Sequence, residues 1–252
     1  MKVGIAGASG RMGGLAATTV LNEPDMHLVG LYDAHTSGSI GGVAISQDPM
    51  SLEPCDVIVE WSRPDTVMDN LAVWRGFGTD VVVGTSGFDE ARLDDLDELW
   101  GNGPGNCLVV PNFSIGGVLM MKLAEMVAPH LGPAEVIEMH HDHKAEAPSG
   151  TSIATARRIA AASGDATRHL ESTEIVDSAL GADVDGVRIH SVRLPGLVAH
   201  QRVVFGGDGE LLTIAHDTID RSSFMPGMLL AIRSVQSQQA KVTVGLESVL
   251  GL

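Results

Sequence analysis

The chain has 252 residues, of which 44% are hydrophobic, and its formal net charge is −16 at pH 7. This length allows one large domain or two modest ones, and the apolar content supports a full core and excludes a largely disordered chain. The strong negative charge argues against a nucleic-acid partner, because the phosphates would be repelled.

The cysteines and the apolar runs set further limits. Cys55 and Cys107 are far apart and outside any CxxC spacing, so neither a disulfide framework nor a zinc ribbon is expected, and a reducing cytoplasm fits. The apolar run at residues 2–6 is too short for a signal peptide. No stretch approaches the roughly 20 apolar residues of a membrane span, so we expect no membrane partner.

Residues 2–33 follow the order strand, glycine turn, helix, strand and acid, which is typical of dinucleotide-binding units. The glycines are spaced G-x-x-G-x-x-G, at Gly7, Gly10 and Gly13, and this spacing alone is a weak signal. The acid, Asp33, ends the second strand, where a carboxylate can accept hydrogen bonds from an adenosine ribose. The segment therefore predicts a nicotinamide-cofactor site.

Asp33 also bears on which cofactor is bound. Its charge favours a free ribose hydroxyl and repels a 2′-phosphate, which favours NADH. Arg11 and His35 lie nearby in the sequence and still admit NADPH. NADH and NADPH therefore both stay open.

Beyond a loop predicted at residues 34–54, strands and helices alternate. Strands are predicted at 56–60, 80–83 and 107–110, with helices at 64–77 and 89–100. This alternation predicts a Rossmann-type, doubly wound parallel sheet, whose ligands bind beyond the carboxyl ends of the strands. Polar or glycine-bearing tips follow these strands at Ser62–Pro64, Gly84–Gly87 and Pro111–Ser114.

A helix predicted at residues 115–130 leads to a polar block between a strand, 134–139, and a helix, 152–162. The block holds three histidines, a lysine and several acids, followed by a Pro-Ser-Gly-Thr turn: Glu138, His140, His141, Asp142, His143, Lys144, Glu146, Pro148, Ser149, Gly150 and Thr151. A helix N-terminus offers free backbone N–H groups and partial positive charge, so the turn predicts a seat for an anion such as a carboxylate. Ser149 or Thr151 can cap the helix, and Gly150 allows close approach of a ligand.

Two other interpretations of the block compete with a proton-transfer and carboxylate-binding site. A metal site is disfavoured because no cysteine joins it, and because on a strand His141 and His143 share a face while His140 points the other way. A solvated loop is disfavoured because a whole polar block against a helix N-terminus is unusual for chance composition. No metal is expected.

The pattern changes in the second half. After a polar loop at 164–186, strands at 187–194, 197–206 and 210–217 are joined by short turns, which predicts antiparallel pairing. The second unit is thus an α+β domain with an open mixed or antiparallel sheet whose free face invites self-association. A helix at 222–235 and an apolar, helical tail at 242–252 are expected to return to the first domain.

The motifs together resemble the dihydrodipicolinate reductase family, and its actinobacterial members in particular, over essentially the whole chain. The most specific marker is Glu138-x-His140-His141-x-His143-Lys144 with Ala147-Pro148-Ser149-Gly150-Thr151. Supporting markers are Gly7–Gly13, Gly84–Phe88, Pro111–Ser114 and Val192-Arg193-x-Pro195-Gly196. Trp61, Ser86 and Glu146 depart conservatively from the residues usual in the family.

The resemblance implies NAD(P)H-dependent reduction of 4-hydroxy-tetrahydrodipicolinate to tetrahydrodipicolinate, with loss of water, in diaminopimelate and L-lysine biosynthesis. It also implies a homotetramer built through the second domain's sheet. It implies a dinucleotide-binding domain at 1–112 and 219–252 and a substrate-binding and oligomerisation domain at 113–218.

Site residues are carried over from the family motif by motif. The cofactor is expected on Gly7, Ala8, Ser9, Gly10, Arg11, Met12, Asp33, Gly84, Thr85, Ser86, Val110, Pro111, Asn112 and Phe113. The substrate carboxylates are expected on the N–H groups of Gly150 and Thr151, beside His141 and Lys144. His140 is the expected acid, since an imidazole transfers protons near neutral pH, and Lys144 is a second proton donor or electrostatic stabiliser. His143 is expected only to orient a neighbour.

Two rival functions have distinct expectations. An aspartate- or homoserine-type dehydrogenase would share the two-domain plan but lacks the His-His-x-His-Lys block with its Pro-Ser-Gly-Thr turn. A non-catalytic dinucleotide sensor would need Asp33 and the glycine turn, but no proton donors beside a carboxylate seat. Dipicolinate, a planar dicarboxylate, should bind the reductase in the presence of NADH, whereas a sensor should ignore it.

Overall fold

A computed structural model describes residues 1–164 and 172–252 of the chain. By backbone contacts the chain divides into two compact units, Met1–Ile115 with Ser222–Leu252, and Gly116–Arg221. We call these unit 1 and unit 2. Residues 165–171, which are part of the loop predicted at 164–186, lie outside the described residues.

The strands and helices occur in the following chain order. Up to the end of unit 1's first segment they are β1 (Lys2–Ala6), α1 (Arg11–Leu21), β2 (His27–Tyr32), β3 (Gly38–Ile40), β4 (Val43–Ser46), β5 (Val57–Glu60), α2 (Val67–Phe77), β6 (Asp80–Val83), α3 (Glu90–Trp100) and β7 (Cys107–Val109). They continue as α4 (Ile115–Val127), β8 (Ala134–His140), α5 (Gly150–Ser163), β9 (Ala182–Val184), β10 (Val187–Arg193), β11 (Ala199–Gly207), β12 (Glu210–Thr218), α6 (Met225–Ser234), β13 (Val242–Val244) and α7 (Glu247–Leu250).

Unit 1 is built on a largely parallel sheet with the strand order β13-β7-β6-β5-β1-β2-β4-β3, in which only β3 runs antiparallel to its neighbour. Continuous apolar strands such as Val57–Val59 and Val81–Val83 are completely buried. Such strands are covered on both faces, which is why they show no alternation in the sequence. The predicted Rossmann-type sheet is confirmed.

The segment 222–252 completes the edge of this sheet. Strand β13 pairs in parallel with β7, with Val242 opposite Cys107. The Asn106 side-chain amide donates to the carbonyls of Val235, Gln236 and Gln238, at 3.0, 3.3 and 3.4 Å. The prediction of a helical apolar tail is wrong for β13, because its residues contribute backbone hydrogen bonds to an exposed sheet edge.

Residues 34–54 are more ordered than predicted. The segment contains β3, β4 and a 3₁₀ turn at Pro49–Leu52. Gly41 and Gly42 form the β3–β4 turn with positive φ of 57° and 83°, a conformation that glycine adopts without strain. Strand β3 is the edge strand and β4 lies between it and β2; both are short and mostly not fully buried, so no apolar run marked them and the loop prediction was wrong.

Unit 2 is built on a mixed sheet with the order β12-β11-β8-β10-β9. Strand β8 pairs in parallel with β10 and antiparallel with β11. The predicted pairing between the strands at 187–194 and 197–206 is wrong, because β8 lies between them: Met139 is opposite both Val192 and His200. The short connection crosses the end of β8, where the Leu194 N–H donates to the His140 carbonyl at 3.1 Å.

The two faces of this sheet differ. On β8, Val136, Glu138 and His140 share one face, and Val136 packs there in a core with Ala156 and Ile159 of α5. The opposite face, which we call the open face, carries partly or largely exposed residues from three strands: Glu135, Ile137, Met139, His190, Val192, His200, Arg202 and Val204. The predicted open, mixed sheet is confirmed.

Candidate active site

The β1–α1 turn of unit 1 requires glycine at two positions. Gly7 has a φ of +72°, and a Cβ atom there would lie 2.6 Å from the Trp61 carbonyl oxygen. A Cβ atom on Gly13 would lie 2.1 Å from the Gly7 carbonyl oxygen. The close approach of turn, helix and neighbouring strand end therefore excludes side chains at both positions.

The N-terminus of α1 faces this turn without a side-chain cap. Gly10 is the N-cap residue, with extended backbone, and no side chain bonds to the first helical N–H groups. The first turn also contains no acidic residue. Uncapped N–H groups and the helix dipole suit a bound phosphate, as in other dinucleotide sites.

Asp33 ends β2 beside this turn and accepts four hydrogen bonds from the chain. One oxygen accepts from the Ser9 hydroxyl and, at 3.3 Å, from the Ser9 N–H. The other accepts from the N–H groups of His35 and Thr36, both at 3.1 Å. Burial acts to raise the pKa of Asp33, but these hydrogen bonds outweigh it and hold the pKa below its usual value, so the group is ionised at neutral pH.

A second part of the same sheet edge lies at the ends of β5, β6 and β7. A Cβ atom on Gly84 would lie 2.3 Å from the Trp61 ring, which packs against Phe113 at 5.0 Å between ring centroids. The Thr85 hydroxyl donates to the Ser62 carbonyl at 2.9 Å. The buried Trp61 Nε1 has no partner among the described residues. The predicted cofactor residues thus lie at the carboxyl ends of β1, β2, β6 and β7, on one edge of one sheet.

In unit 2 the predicted polar block is organised around its first residue, Glu138, for which no role was predicted. This carboxylate has no exposed surface. Its two oxygens accept from Nη1 and Nη2 of Arg193, both at 2.8 Å, from the Ser149 N–H at 3.2 Å, and lie against His140 Nδ1 at 2.5 Å. Burial acts to raise the pKa of Glu138, but these hydrogen bonds, including one from Ser191, hold it below its usual value.

His140 is the last residue of β8 and projects toward the helix-covered side. Its side chain is 15% exposed. Burial is the main cause of a lowered pKa for His140, and the positive charges of Lys144 and Arg193 act in the same direction, while Glu138 opposes them. The imidazolium form of His140 is therefore a stronger acid than an unperturbed histidine.

The predicted anion seat lies at the start of α5. Ser149 is the N-cap residue, and its hydroxyl accepts from the Ser152 N–H at 3.2 Å. A Cβ atom on Gly150 would meet nothing within 4 Å, so there is room beside the backbone of Gly150 and Thr151. The helix begins without an acidic residue in its first turn. The seat can therefore accept a carboxylate.

The remaining residues of the block form a turn after β8. The Lys144 N–H donates to the His141 carbonyl at 3.1 Å, and the Lys144 ammonium lies 3.4 Å from Glu146. His141 Nδ1 is buried without a partner among the described residues, which suits a ligand contact. The ring of His143 is 89% exposed. Strand alternation does not govern these histidines, because β8 ends at His140.

Glu138 and Arg193 are both part of the family markers, but neither their pairing nor a role for them was predicted from the sequence. Arg193 also donates to the Glu146 carbonyl at 2.6 Å and so ties β10 to the turn. One signal could have indicated the burial of Glu138: it alternates with Val136, an apolar β-branched residue, and so lies on the same face of the strand. A carboxylate on a buried face requires cationic or hydrogen-bonding partners.

Two negative findings concern residues 1–164 and 172–252. No group of three or more His, Cys, Asp or Glu side chains in these ranges is arranged to hold a metal ion. No helix in them is long and apolar enough to cross a bilayer.

A glycine turn with its acid in one unit, and a buried imidazole beside an anion seat in the other, are the parts of an NAD(P)H-dependent oxidoreductase. Family models described as "Dihydrodipicolinate reductase, N-terminus" and "Dihydrodipicolinate reductase, C-terminus" match residues 1–113 and 116–250. The chain belongs to the dihydrodipicolinate reductase family, which functions in diaminopimelate and lysine biosynthesis, as the sequence motifs predicted.

Individual relatives agree over full length. The chain is 45% identical over 258 residues to 4-hydroxy-tetrahydrodipicolinate reductase of Thermobifida fusca, covering 100% of both chains. It is 46% identical over 261 residues to the Nocardia farcinica protein of the same name, covering 100% of this chain and 99% of that one. Its fold matches the dipicolinate-bound dihydrodipicolinate reductase of Paenisporosarcina sp. TG-14 with a TM-score of 0.86 at 36% identity, covering 98% of each chain.

Proposed function

We propose that the chain reduces 4-hydroxy-tetrahydrodipicolinate to tetrahydrodipicolinate, with loss of water, using NADH or NADPH. The observation that carries this proposal is the combination, within unit 2, of a buried imidazole and the uncrowded N-terminus of α5. The substrate is a cyclic dicarboxylate in which loss of the hydroxyl as water leaves a C=C bond conjugated to the imine, and reduction of that C=C bond requires a carboxylate seat and a proton donor. The dipicolinate-bound structural relative supports a dicarboxylate ligand.

In this proposal unit 1 holds the cofactor, which supplies the hydride when bound. The N–H groups around Gly10, Arg11 and Met12 bind the pyrophosphate, because this helix N-terminus is uncapped. Asp33 accepts from the ribose, exchanging the Ser9 hydroxyl for a ligand hydroxyl. The ends of β6 and β7, Gly84–Ser86 and Val110–Phe113, line the nicotinamide, and the unpartnered Trp61 Nε1 fits a polar ligand there.

Unit 2 holds the substrate. One carboxylate rests on the Gly150 and Thr151 N–H groups, and the unpartnered His141 Nδ1 and the Lys144 ammonium contribute beside it. A helix N-terminus alone stabilises an anion by about 0.3–2 kcal/mol, so the ammonium must contribute much of the binding. Lys144 exchanges its contact with the exposed Glu146 carboxylate for the substrate.

The protein also supplies the proton. Addition of hydride to one ring carbon leaves electron density on its neighbour, which must be protonated to complete the reduction. His140 donates that proton from its imidazolium form, which burial and the neighbouring cations make a stronger acid and which Glu138 stabilises. Lys144 stabilises the developing charge and is the second candidate donor.

We further propose that the division of labour follows residues 1–112 with 219–252 for the cofactor and 113–218 for substrate and assembly. The open face supports a homotetramer, since Ile137, Met139 and Val204 are apolar and only partly buried there. A cytoplasmic location is consistent with relatives that are biosynthetic enzymes. Light scattering should give four times the 26.3 kDa chain mass; a monomer would contradict the assembly without affecting the reaction.

The direct test is oxidation of NADH or NADPH by the protein with substrate generated from pyruvate and aspartate semialdehyde by a coupled synthase. Oxidation that requires the synthase is the expected result. Dipicolinate should inhibit it and should stabilise the protein against heat when NADH is present. NADH binding without oxidation, and without any dipicolinate effect, would favour the sensor alternative.

A further inference from the structure

We infer that Glu138 is a positioning residue: it fixes the tautomer and orientation of the His140 ring so that Nε2 carries the transferred proton. The inference rests on the proposed role of His140 as the acid. It assigns a function to a side chain that does not itself reach the substrate. The Glu138 carboxylate contacts three parts of unit 2: His140 and the N-cap of α5 directly and, through Arg193, the turn that carries Lys144.

The first part is the ring of His140. A carboxylate accepts hydrogen bonds and does not donate them when ionised, and Arg193 keeps Glu138 ionised through two contacts of 2.8 Å. The ring nitrogen that lies 2.5 Å from Glu138 is Nδ1. Nδ1 therefore carries a hydrogen in both charge states of the ring, and the proton that is gained and lost resides on Nε2.

The second part is the helix that forms the anion seat. The Ser149 N–H donates to Glu138 at 3.2 Å, while the Ser149 hydroxyl caps α5. The same carboxylate thus contacts both the proton donor and the N-cap of the seat. This sets the spacing between His140 and the Gly150–Thr151 amides, and a spacing fixed by buried contacts is the kind that transition-state geometry demands.

The third part is the turn that carries Lys144. Arg193 bridges Glu138 and the Glu146 carbonyl, to which it donates at 2.6 Å. Its charge also offsets that of Glu138, so the pair presents His140 with a hydrogen-bond acceptor and only a modest net field. Without this cation the buried carboxyl would bind a proton itself and would no longer fix the ring.

Two substitutions test the position and the charge of the Glu138 carboxylate separately. Glu138→Gln keeps the length and removes the charge, and its amide nitrogen faces donors that it cannot satisfy. Glu138→Asp keeps the charge and the pairing with Arg193, but withdraws from Nδ1 by about one bond length. Removing the carboxylate that orients a metal-bound histidine typically costs about 10- to 100-fold in activity, and Glu138 orients His140 through the same kind of contact. We expect kcat to fall by about 100-fold in Glu138→Gln and less in Glu138→Asp, with KM for NADH unchanged in both.

The pH profile provides a measurement that a merely structural role would not alter. The groups that face His140 are Glu138, Lys144 and Arg193. Of these only Glu138 favours the imidazolium, so its loss lowers the pKa of the ring. We expect the pH at which kcat declines on the alkaline side to shift downward by about one unit or more in Glu138→Gln, and to recover partly in Glu138→Asp.

The matched control is Glu125→Gln. It removes one carboxylate from the same unit, paired with Lys122 at 2.8 Å on α4, and changes the net charge equally. It should leave kcat and its pH profile as in the unmodified protein. If Glu138→Gln fails to fold, as shown by its melting curve and NADH binding, Glu138→Asp alone decides: an unchanged kcat and pH profile overturns the inference.

His140→Gln distinguishes this inference from the function on which it rests. If His140→Gln retains turnover, the proposed acid is wrong and the positioning role falls with it. If His140→Gln loses turnover while Glu138→Gln and Glu138→Asp behave as the unmodified chain does, only the positioning role is overturned. Loss in His140→Gln together with the shifted pH profile supports both.

Discussion

The candidate sites of the two units are built from different parts of the chain. The candidate cofactor site of unit 1 consists mainly of backbone: the glycine turn, the uncapped N-terminus of α1, and Asp33 held by amide groups. The candidate substrate site of unit 2 depends on a side-chain network in which Glu138 joins Arg193 and His140, residues from two strands. A backbone site tolerates most substitutions that keep its shape, whereas a side-chain network is sensitive to single atoms.

The largest loss of activity is expected for a substitution of His140, in the side-chain network of unit 2. His140→Gln should lower kcat by about 10²- to 10⁴-fold, the usual contribution of a general acid, while the Kd for NADH stays unchanged. Stopped-flow turnover and NADH titration measure the two quantities. His143→Gln is the control, because that ring is 89% exposed, and it should retain turnover. A parallel loss of NADH binding would mean that the two units are not functionally separate.

Lys144 should show the next largest effect. Lys144→Ala removes the ammonium proposed to bind and stabilise the substrate, so kcat/KM for substrate should fall by about 100-fold with NADH affinity intact. Lys122→Ala removes an ammonium from α4 that is paired with Glu125 and should change neither quantity. Equal losses in the two variants would show that the general charge of unit 2 matters and that the location of Lys144 does not.

In unit 1 the sensitive positions should be backbone positions. Gly13→Ala places a Cβ atom 2.1 Å from a carbonyl oxygen and should destabilise the protein by about 1–3 kcal/mol. Gly14→Ala meets its nearest atom at an ordinary 3.6 Å, and alanine favours a helix, so this variant should be more stable by about 0.5–1 kcal/mol. Chemical unfolding measures the free energy of unfolding of both variants, and equal values would contradict the packing argument.

Asp33 should have a smaller effect, limited to cofactor choice. Two charges about 4 Å apart in water interact by about 1 kcal/mol, so Asp33→Asn should raise the NADPH-to-NADH ratio of kcat/KM about fivefold. Asp56→Asn is the control, since Asp56 precedes β5 and accepts from the Lys2 N–H at the opposite edge of the sheet. An unchanged NADPH-to-NADH ratio in Asp33→Asn would mean that other residues discriminate between the two cofactors.

The smallest predicted difference between the two units is in their stability at low pH. Burial lowers the pKa of His140 and His216 in unit 2. As the pH falls below about 6.5, these histidines therefore bind protons more readily in the unfolded chain than in the folded one, and unit 2 loses stability. Glu60 in unit 1 behaves oppositely: burial raises its pKa, so acidification toward about 4.5 favours the folded form. Hydrogen-exchange protection factors at pH 7 and 5.5 should decrease in unit 2 relative to unit 1; uniform changes would refute this.

The same contrast explains what could be predicted from the sequence. Strands 2–6, 27–32 and 80–83 agree with β1, β2 and β6, because buried parallel strands are continuous apolar runs. The glycine turn and Asp33 were recognisable because backbone geometry demands particular residues at particular spacings. Ser149, one of two predicted caps, is the observed N-cap.

The parts that could not be predicted depend on distant pairings. Glu138 and Arg193 are 55 residues apart, and nothing local marks them as partners. The position of β8 between β10 and β11 was not predicted for the same reason. A short connection between two strands indicates their relative direction but not whether they are neighbours in the sheet. The edge strands β3 and β13, and β4 beside β3, have only three or four residues each and are partly exposed, so no long apolar run marks them in the sequence. These features depend on tertiary contacts that form only in the folded chain.

The interrupted sequence of unit 1 has a consequence for how the protein is made on the ribosome. Unit 2 is contiguous and can fold as soon as residues 116–221 emerge, whereas β7 waits for β13 and Asn106 for its carbonyl partners. Until then the nascent chain exposes an open strand edge, a site at which chains pair wrongly. The order of synthesis therefore completes unit 2 before the last strand of unit 1 is made.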